Sequence, residues 1–88
     1  MAASEYSGTI AIVTMTTVDA RGLLCPLPLT MAKRRMAELR PGDTLLVMAT
    51  DPEAAIDLAA WAGEAGHSFS RAAREGWAEY ALAKGSAG

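Results

Sequence analysis

Apolar residues recur with two spacings along this 88-residue chain, and the spacings predict six secondary-structure elements. Runs rich in β-branched and other apolar residues predict strands, whereas apolar residues three or four positions apart predict helices. The predicted order is strand, helix, strand, helix, strand, strand, over 9–18, 29–40, 43–50, 51–65, 67–74 and 77–83. We therefore expect an α/β fold.

The second helix carries the strongest end signals in the chain. Asp51 suits the N-cap, Pro52 the first helical position, and Gly66 the position after the last turn. Each helix also has an apolar stripe that is predicted to pack against the sheet. The stripe of the first helix is Leu29, Ala32, Met36 and Leu39, and that of the second is Ala55, Ile56, Ala59, Ala60 and Gly63.

Two strand–helix–strand units in succession predict the topology. Such crossovers are right-handed, and here they place both helices on one face of the sheet. We expect a two-layer α/β sandwich in βαβαββ order, with a mixed four-stranded sheet whose other face is open. This single domain is predicted to span 15–84, after an N-terminal extension over 1–14 that leads into the first strand and before a mobile tail over 85–88.

Composition and charge narrow the function classes. The formal net charge of −2 argues against direct nucleic-acid binding, which usually requires a basic excess. The basic run over 33–35 is interpreted as a solvated helix face. The sequence contains neither an apolar stretch of about 20 residues that could span a membrane nor a basic signal-peptide start. We therefore expect a cytoplasmic protein without a membrane partner.

The only cysteine, Cys25, is the leading candidate for chemistry. A single cysteine forms no intramolecular disulfide and no cysteine-rich metal site, so neither metal nor cofactor is expected. Cys25 immediately precedes the first turn of a helix, where unpaired N–H groups and the macrodipole favour an anion. We expect a lowered thiol pKa, with the sulfur accepting a hydrogen bond from the Leu27 N–H and Arg21 as a nearby positive charge. From the residues alone, a reactive thiol and an inert buried one are equally supported.

The segment 19–28, DARGLLCPLP, resembles the signature of the TusA family of sulfur carriers, also called SirA-like, which has a Cys-Pro-x-Pro motif at the start of its first helix. Three further segments match the family in order and spacing. They are 40–43 (RPGD) before the second strand, 49–52 (ATDP) at the second helix start, and 65–67 (AGH) before the third strand. The resemblance covers roughly 16–84 and implies the same βαβαββ sandwich.

The resemblance implies a sulfurtransferase of the persulfide-carrier type. A cysteine desulfurase or other donor protein would load sulfur onto Cys25, and an acceptor protein would receive it for tRNA thiolation, molybdenum-cofactor supply or sulfur oxidation. Only the transient persulfide would be covalently attached, without a bound cofactor. The remaining motif residues are expected to shape the loop and dock partners: Asp19, Arg21, Gly22, Pro26 and Pro28.

Two departures from the family pattern limit these inferences. Leu27 replaces the acidic residue that several members have between the prolines, so no particular partner is implied. Trp61-Ala62 occupies the region where some members carry a second cysteine, so the relay must be intermolecular. The alternative function is a non-catalytic interaction or regulatory module of sulfur or redox metabolism. A thiol redox sensor is disfavoured by the missing resolving cysteine.

Several other distinctive residues are assigned to packing. His67 is predicted to pack or cap at a strand start, far from Cys25, and Asp51 to act as a helix cap. Trp61 and Trp77 are predicted to be partly buried, with Trp77 on the open sheet face as the alternative. The methionines are interpreted as core filler and not as a ligand set: Met31, Met36 and Met48.

Overall fold

A computed structural model describes residues 15–85, which form two helices and four strands in the predicted order. The predicted extension over 1–14, including the first part of the predicted strand, lies outside the described residues, as do 86–88 of the predicted tail. The elements are β1 (Met15–Ala20), α1 (Leu27–Met36), β2 (Thr44–Ala49), α2 (Glu53–Ala65), β3 (Ser68–Ala73) and β4 (Ala78–Ala83).

The four strands form one mixed sheet in the order β1-β2-β4-β3. β1 pairs with β2 in parallel, and β4 pairs antiparallel with both β2 and β3. In the middle of the sheet, Val18 lies opposite Val47, which lies opposite Tyr80. Because β2 and β3 are both antiparallel to β4, they run in the same direction and α2 connects parallel strands. The predicted α/β class and mixed sheet are confirmed.

The core lies between the sheet and the two helices. Alternate residues of β2 and β4 are buried, while the residues between them are half-buried, which is the pattern of a sheet covered more completely on one face. The helices contribute Met36 from α1 and Leu58 from α2 to this layer. The strand residues in the core are Val18, Ala20, Leu45, Val47, Ala49, Ala78, Tyr80 and Leu82.

α1 is displaced towards the N-terminus relative to the prediction over 29–40. It begins at Leu27 and ends at Met36, after which the chain tightens into a turn closed by Leu39 N–H and the Met36 carbonyl at 3.0 Å. The Lys84 ammonium donates to the carbonyls of Met36 and Leu39 at 3.0 and 2.7 Å. A side chain that follows the last strand, far away in sequence, therefore satisfies carbonyls at the end of this helix.

The packing face predicted for α2 is wrong, although its ends are close to those predicted. The buried residues are Ala54, Leu58 and Ala62, whereas Ile56 of the predicted stripe is 69% exposed. Gly63, another predicted packing residue, is exposed and has open space around the position of a Cβ atom. Alanines surround this helix on nearly every side, so the pattern does not define one face, and the larger Leu58 takes the core position.

The two helices of the described residues are too short, or insufficiently apolar, to cross a membrane.

Candidate active site around Cys25

Cys25 lies in the loop between β1 and α1, at the edge of the sheet where β2 ends. The loop starts with a tight turn closed by a 3.1 Å hydrogen bond from the Leu23 N–H to the Ala20 carbonyl. Gly22 occupies this turn with a φ of 84°, a conformation that L side chains rarely adopt. Its N–H donates to Thr50 Oγ1 at 2.9 Å, which ties the loop to the residue that follows β2.

One carboxylate connects the start of α2 to the cysteine. Asp51 Oδ1 accepts from the Glu53 N–H at 3.0 Å, and Asp51 Oδ2 accepts from the Cys25 N–H at 2.8 Å. These two N–H groups, of Glu53 first and of Cys25 second, hold the pKa of Asp51 below its ordinary value. The predicted capping residue therefore also positions the cysteine backbone, a second role that its sequence context did not indicate.

The sulfhydryl of Cys25 is directed to α2. The half-buried thiol donates to Asp57 Oδ2, with 2.7 Å between Sγ and the oxygen. This hydrogen bond is the largest of the causes that raise the pKa of Cys25 to about 11, and burial is the second. The negative charges of Asp57, Glu53 and Asp51 supply the rest of the rise, because each disfavours a thiolate.

The predicted lowering of the thiol pKa is therefore wrong for this structure. The Leu27 N–H, predicted to donate to the sulfur, donates to the Leu24 carbonyl at 2.9 Å. The N-cap of α1 is Pro26, without a side-chain capping bond, so Cys25 lies one residue before the cap. The dipole of the helix that follows Cys25 favours a thiolate, but the carboxylates of the α2 region that face the sulfur act in the opposite direction and prevail.

Arg21 and Asp19 form a pair within the same loop. The Arg21 side chain donates to both Asp19 oxygens, at 2.9 and 3.0 Å, which lowers the pKa of Asp19 to about 2 and raises that of Arg21. The guanidinium also lies over the ring of Trp77, 5.0 Å from its centroid. Arg21 is thus engaged with Asp19 and Trp77, and the charges that shift the thiol pKa all come from carboxylates.

Exposed apolar residues precede and follow Cys25 along the chain. Leu24 is 72% exposed and Leu27 47% exposed, on either side of the half-buried Cys25, and the Cys25–Pro26 peptide bond is cis. The two motif prolines differ in environment, since Pro28 is buried in the first turn of α1 whereas Pro26 is exposed. The loop therefore carries a half-buried thiol between two exposed apolar residues along the chain.

His67 lies far from this site, as predicted from its position in the chain. It follows α2, ten residues beyond Asp57, which corresponds to about 15 Å along a helix axis. Its Nδ1 accepts the Gly85 N–H at 3.0 Å and its ring meets the edge of Trp61. Burial, and then the charge of Lys84, lower the pKa of His67. These contacts give it a structural role at the opposite end of the helices.

Asp57 is the site residue that sequence reasoning missed. It stands inside an apolar helical run, and its partner is 32 residues away in sequence. The only local signal is its spacing of four from Glu53, which places both carboxylates on one face of α2. Among residues 15–85, histidine, cysteine, aspartate and glutamate nowhere form a group of three or more placed to hold a metal ion.

Comparison with known proteins identifies the family. The model of the sulfurtransferase TusA family matches residues 16–84. YrkF and YrkI of Bacillus subtilis, both named as candidate sulfur carriers, are 42% and 44% identical over 59 residues, or 67% of this chain. The match spans 32% of the length of YrkF and 79% of that of YrkI. The sulfur carrier protein TusA of Allochromatium vinosum is 39% identical over 59 residues, which are 67% of this chain and 78% of that protein.

A solved structure shares the fold. The crystal structure of a SirA-like protein from Desulfitobacterium hafniense superposes with a TM-score of 0.75 at 29% identity, covering 81% of this chain and 99% of that one. Apart from Met15, the family match spans every described strand and helix, and it includes the segment that carries Cys25. The chain therefore belongs to the TusA sulfurtransferase family, and its similarity to named sulfur carriers supports a role in sulfur transfer.

Proposed function

We propose that this protein accepts sulfur as a persulfide on Cys25 from a cysteine desulfurase or another donor protein, and passes it to an acceptor protein. The observation that carries the proposal is the position of this one thiol. It lies within the segment matched by the family, at the protein surface, between two exposed leucines. Because this reaction starts from a reduced thiol, the proposal includes a cytoplasmic location, where thiols stay reduced.

The proposed loading step is a thiol–persulfide exchange. Cys25 Sγ attacks the outer sulfur of the donor persulfide, so that a new S–S bond forms on Cys25 while the S–S bond of the donor breaks. The donor cysteine leaves as a thiolate and takes up the proton that Sγ loses. Delivery repeats the exchange with the acceptor thiol as the attacking group. No external oxidant or reductant is consumed in either step, and neither step requires a second cysteine in this chain.

Intact mass measured without reductant tests the loading step. The reduced protein is incubated with a cysteine desulfurase and cysteine, with Cys25→Ser as the matched control. We expect one sulfur atom to add to the wild-type protein, to be removed by dithiothreitol, and to be absent from the variant. Inorganic polysulfide serves as a second donor, because a given desulfurase need not recognise this carrier. Failure to load from both donors contradicts the proposal.

Delivery is a separate measurement on the loaded protein. After removal of the donor, a candidate acceptor with a reactive cysteine is added, and the masses of both proteins are followed. We expect the sulfur to leave this protein and to appear on the acceptor. Components of tRNA thiolation, molybdenum-cofactor assembly and sulfur oxidation are the three classes to compare, since the family resemblance implies each of them.

One observation favours the alternative of a non-catalytic interaction module. The raised pKa of Cys25 leaves very little thiolate at neutral pH, as in an unreactive cysteine. Under this alternative, Cys25→Ser retains full activity in a partner-dependent assay, and the wild-type protein does not carry sulfur. The carrier proposal predicts that the same variant binds the donor but forms no persulfide.

A further inference from the structure

The hydrogen bond between Cys25 and Asp57 holds the reactive atom in an unreactive form. The thiol is the donor and the carboxylate the acceptor, at 2.7 Å. The sulfur hydrogen therefore points at Asp57, and a thiolate at the same place would face the carboxylate oxygen without a proton between them. Since the thiolate is the nucleophile in sulfur exchange, this arrangement opposes the reaction that the site is proposed to perform.

A second contact fixes the cysteine against the same helix. The Cys25 N–H donates to Asp51 Oδ2, so main chain and side chain of this residue are both held by carboxylates of the α2 region. Glu53 adds a third negative charge, one helical turn before Asp57. The nearby cation of the loop, Arg21, is bound to Asp19 and stacked on Trp77. The charges around the sulfur thus act in one direction.

We propose that Asp57 is a positioning residue that keeps Cys25 as a hydrogen-bonded neutral thiol in the free protein, so that the sulfur becomes nucleophilic only when a donor protein displaces this hydrogen bond. The inference rests on the proposed carrier function and adds a way in which donor binding regulates it.

The same contact distinguishes the empty from the loaded carrier. Once a second sulfur is attached, Sγ has no hydrogen, so the hydrogen bond to Asp57 is lost. The outer sulfur, as a persulfide anion, is repelled by the acidic helix start and is directed away from it. Loading therefore breaks the contact that protects the empty thiol from reagents in solution.

The pH dependence of iodoacetamide alkylation tests the proposal. The rate of carbamidomethylation is measured by intact mass from pH 6 upward for wild type, Asp57→Asn and the control Glu53→Gln. Asp57→Asn removes the carboxylate charge at the sulfur and offers a thiolate an amide donor, while burial and the charges of Glu53 and Asp51 remain. We therefore expect the thiol pKa to fall from about 11 towards its ordinary value of 9.0. The thiolate fraction at neutral pH then rises by at most about 100-fold, and the alkylation rate by at most about tenfold, because a less basic thiolate is a weaker nucleophile.

The control separates the contact from general charge. Glu53→Gln removes one negative charge from the same helix face but no hydrogen bond to sulfur, so a change of about twofold or less is expected. Unchanged pH profiles for both Asp57→Asn and Asp57→Ala would overturn the proposal, as would an equal shift in Glu53→Gln. Circular dichroism and the melting temperature verify that each variant is folded.

A second readout involves the donor. Asp57→Asn should accelerate loading from inorganic polysulfide several-fold while changing loading from a cognate desulfurase much less, because only the protein donor can displace the wild-type contact. Equal acceleration with both donors would contradict the proposal. Alkylation needs no sulfur donor, so the effect of Asp57 on the thiol remains measurable even if the carrier function fails.

Discussion

The two helices differ in where their ends are determined. α2 begins after Asp51, whose carboxylate accepts the Glu53 N–H, and it ends at Gly66 in the left-handed conformation. Residues adjacent in sequence satisfy both of its ends. α1 has a proline N-cap without a side-chain bond, and its C-terminal carbonyls are bound by Lys84 from the far end of the chain. Local signals thus define one helix, and tertiary contacts define the other.

The contrast between local signals and tertiary contacts also explains the protonation state of the Cys25 thiol. The dipole of α1 predicts an anion at its N-terminus, but Pro26 lies between Cys25 and the helix, and the sulfur is directed to Asp57 instead. A direct hydrogen bond at 2.7 Å outweighs a partial charge that is not in contact with the sulfur. Contacts between the two helix starts, and not the helix that follows the cysteine, set the protonation state of the thiol.

The largest loss of stability is expected when the tertiary contact at the end of α1 is removed. Lys84→Met keeps the apolar stem but removes both hydrogen bonds to the end of α1. The Lys84 backbone bonds to Gly42 and Asp43 are retained. We expect the free energy of unfolding to fall by about 2 kcal/mol, because half-buried carbonyls lose a charged donor. Urea denaturation followed by circular dichroism measures this change.

The matched control for this prediction is Lys33→Met, an exposed lysine in the last turn of α1. It removes the same charge near the helix C-terminus but no hydrogen bond to a carbonyl. A loss of about 0.5 kcal/mol or less is expected. Equal losses in the two variants would mean that the charge of Lys84, and not its two contacts, stabilises α1.

A smaller effect is expected from Gly66→Ala at the end of α2. Gly66 has a φ of 82° and open space where a Cβ would lie, so the cost is conformational, about 1 kcal/mol. Gly63→Ala is the matched control, since Gly63 lies inside the helix with equally open space and alanine favours helix by about 0.5–1 kcal/mol. The two substitutions should shift the urea midpoint in opposite directions. A destabilising Gly63→Ala would contradict the exposed position of this residue.

The sequence predicted what is determined by neighbouring residues. Element order and, to within one residue, both ends of α2 follow from turn residues, caps and periodicity, and the structure agrees with them. The face of α2 was wrong because alanine on nearly every side leaves the periodicity without a preferred direction. The end of α1 and the partner of the Cys25 thiol depend on Lys84 and Asp57, which are distant in sequence. These contacts follow only from the tertiary fold, which brings the end of β4 to α1 and places α2 beside the loop of Cys25.

The smallest expected effect concerns the carboxylate that both helix starts share. Asp51 lies one residue before Pro52, the N-cap of α2, and not at the N-cap as predicted. Asp51→Asn keeps an oxygen that can accept the Glu53 N–H, and removes only the charge. The pKa of Asp51 is lowered in the folded protein, so its charge stabilises the fold at pH values above the unfolded pKa of about 4. This stabilisation is lost as pH falls through the folded pKa.

The melting temperature of Asp51→Asn should therefore lie about one or two degrees below that of wild type at pH 7, and the difference should vanish in strong acid. A difference that persists in acid below the folded pKa of Asp51 would show that the substituted amide disturbs the shape of the helix start, and the shared-carboxylate explanation for holding Cys25 against α2 would fail.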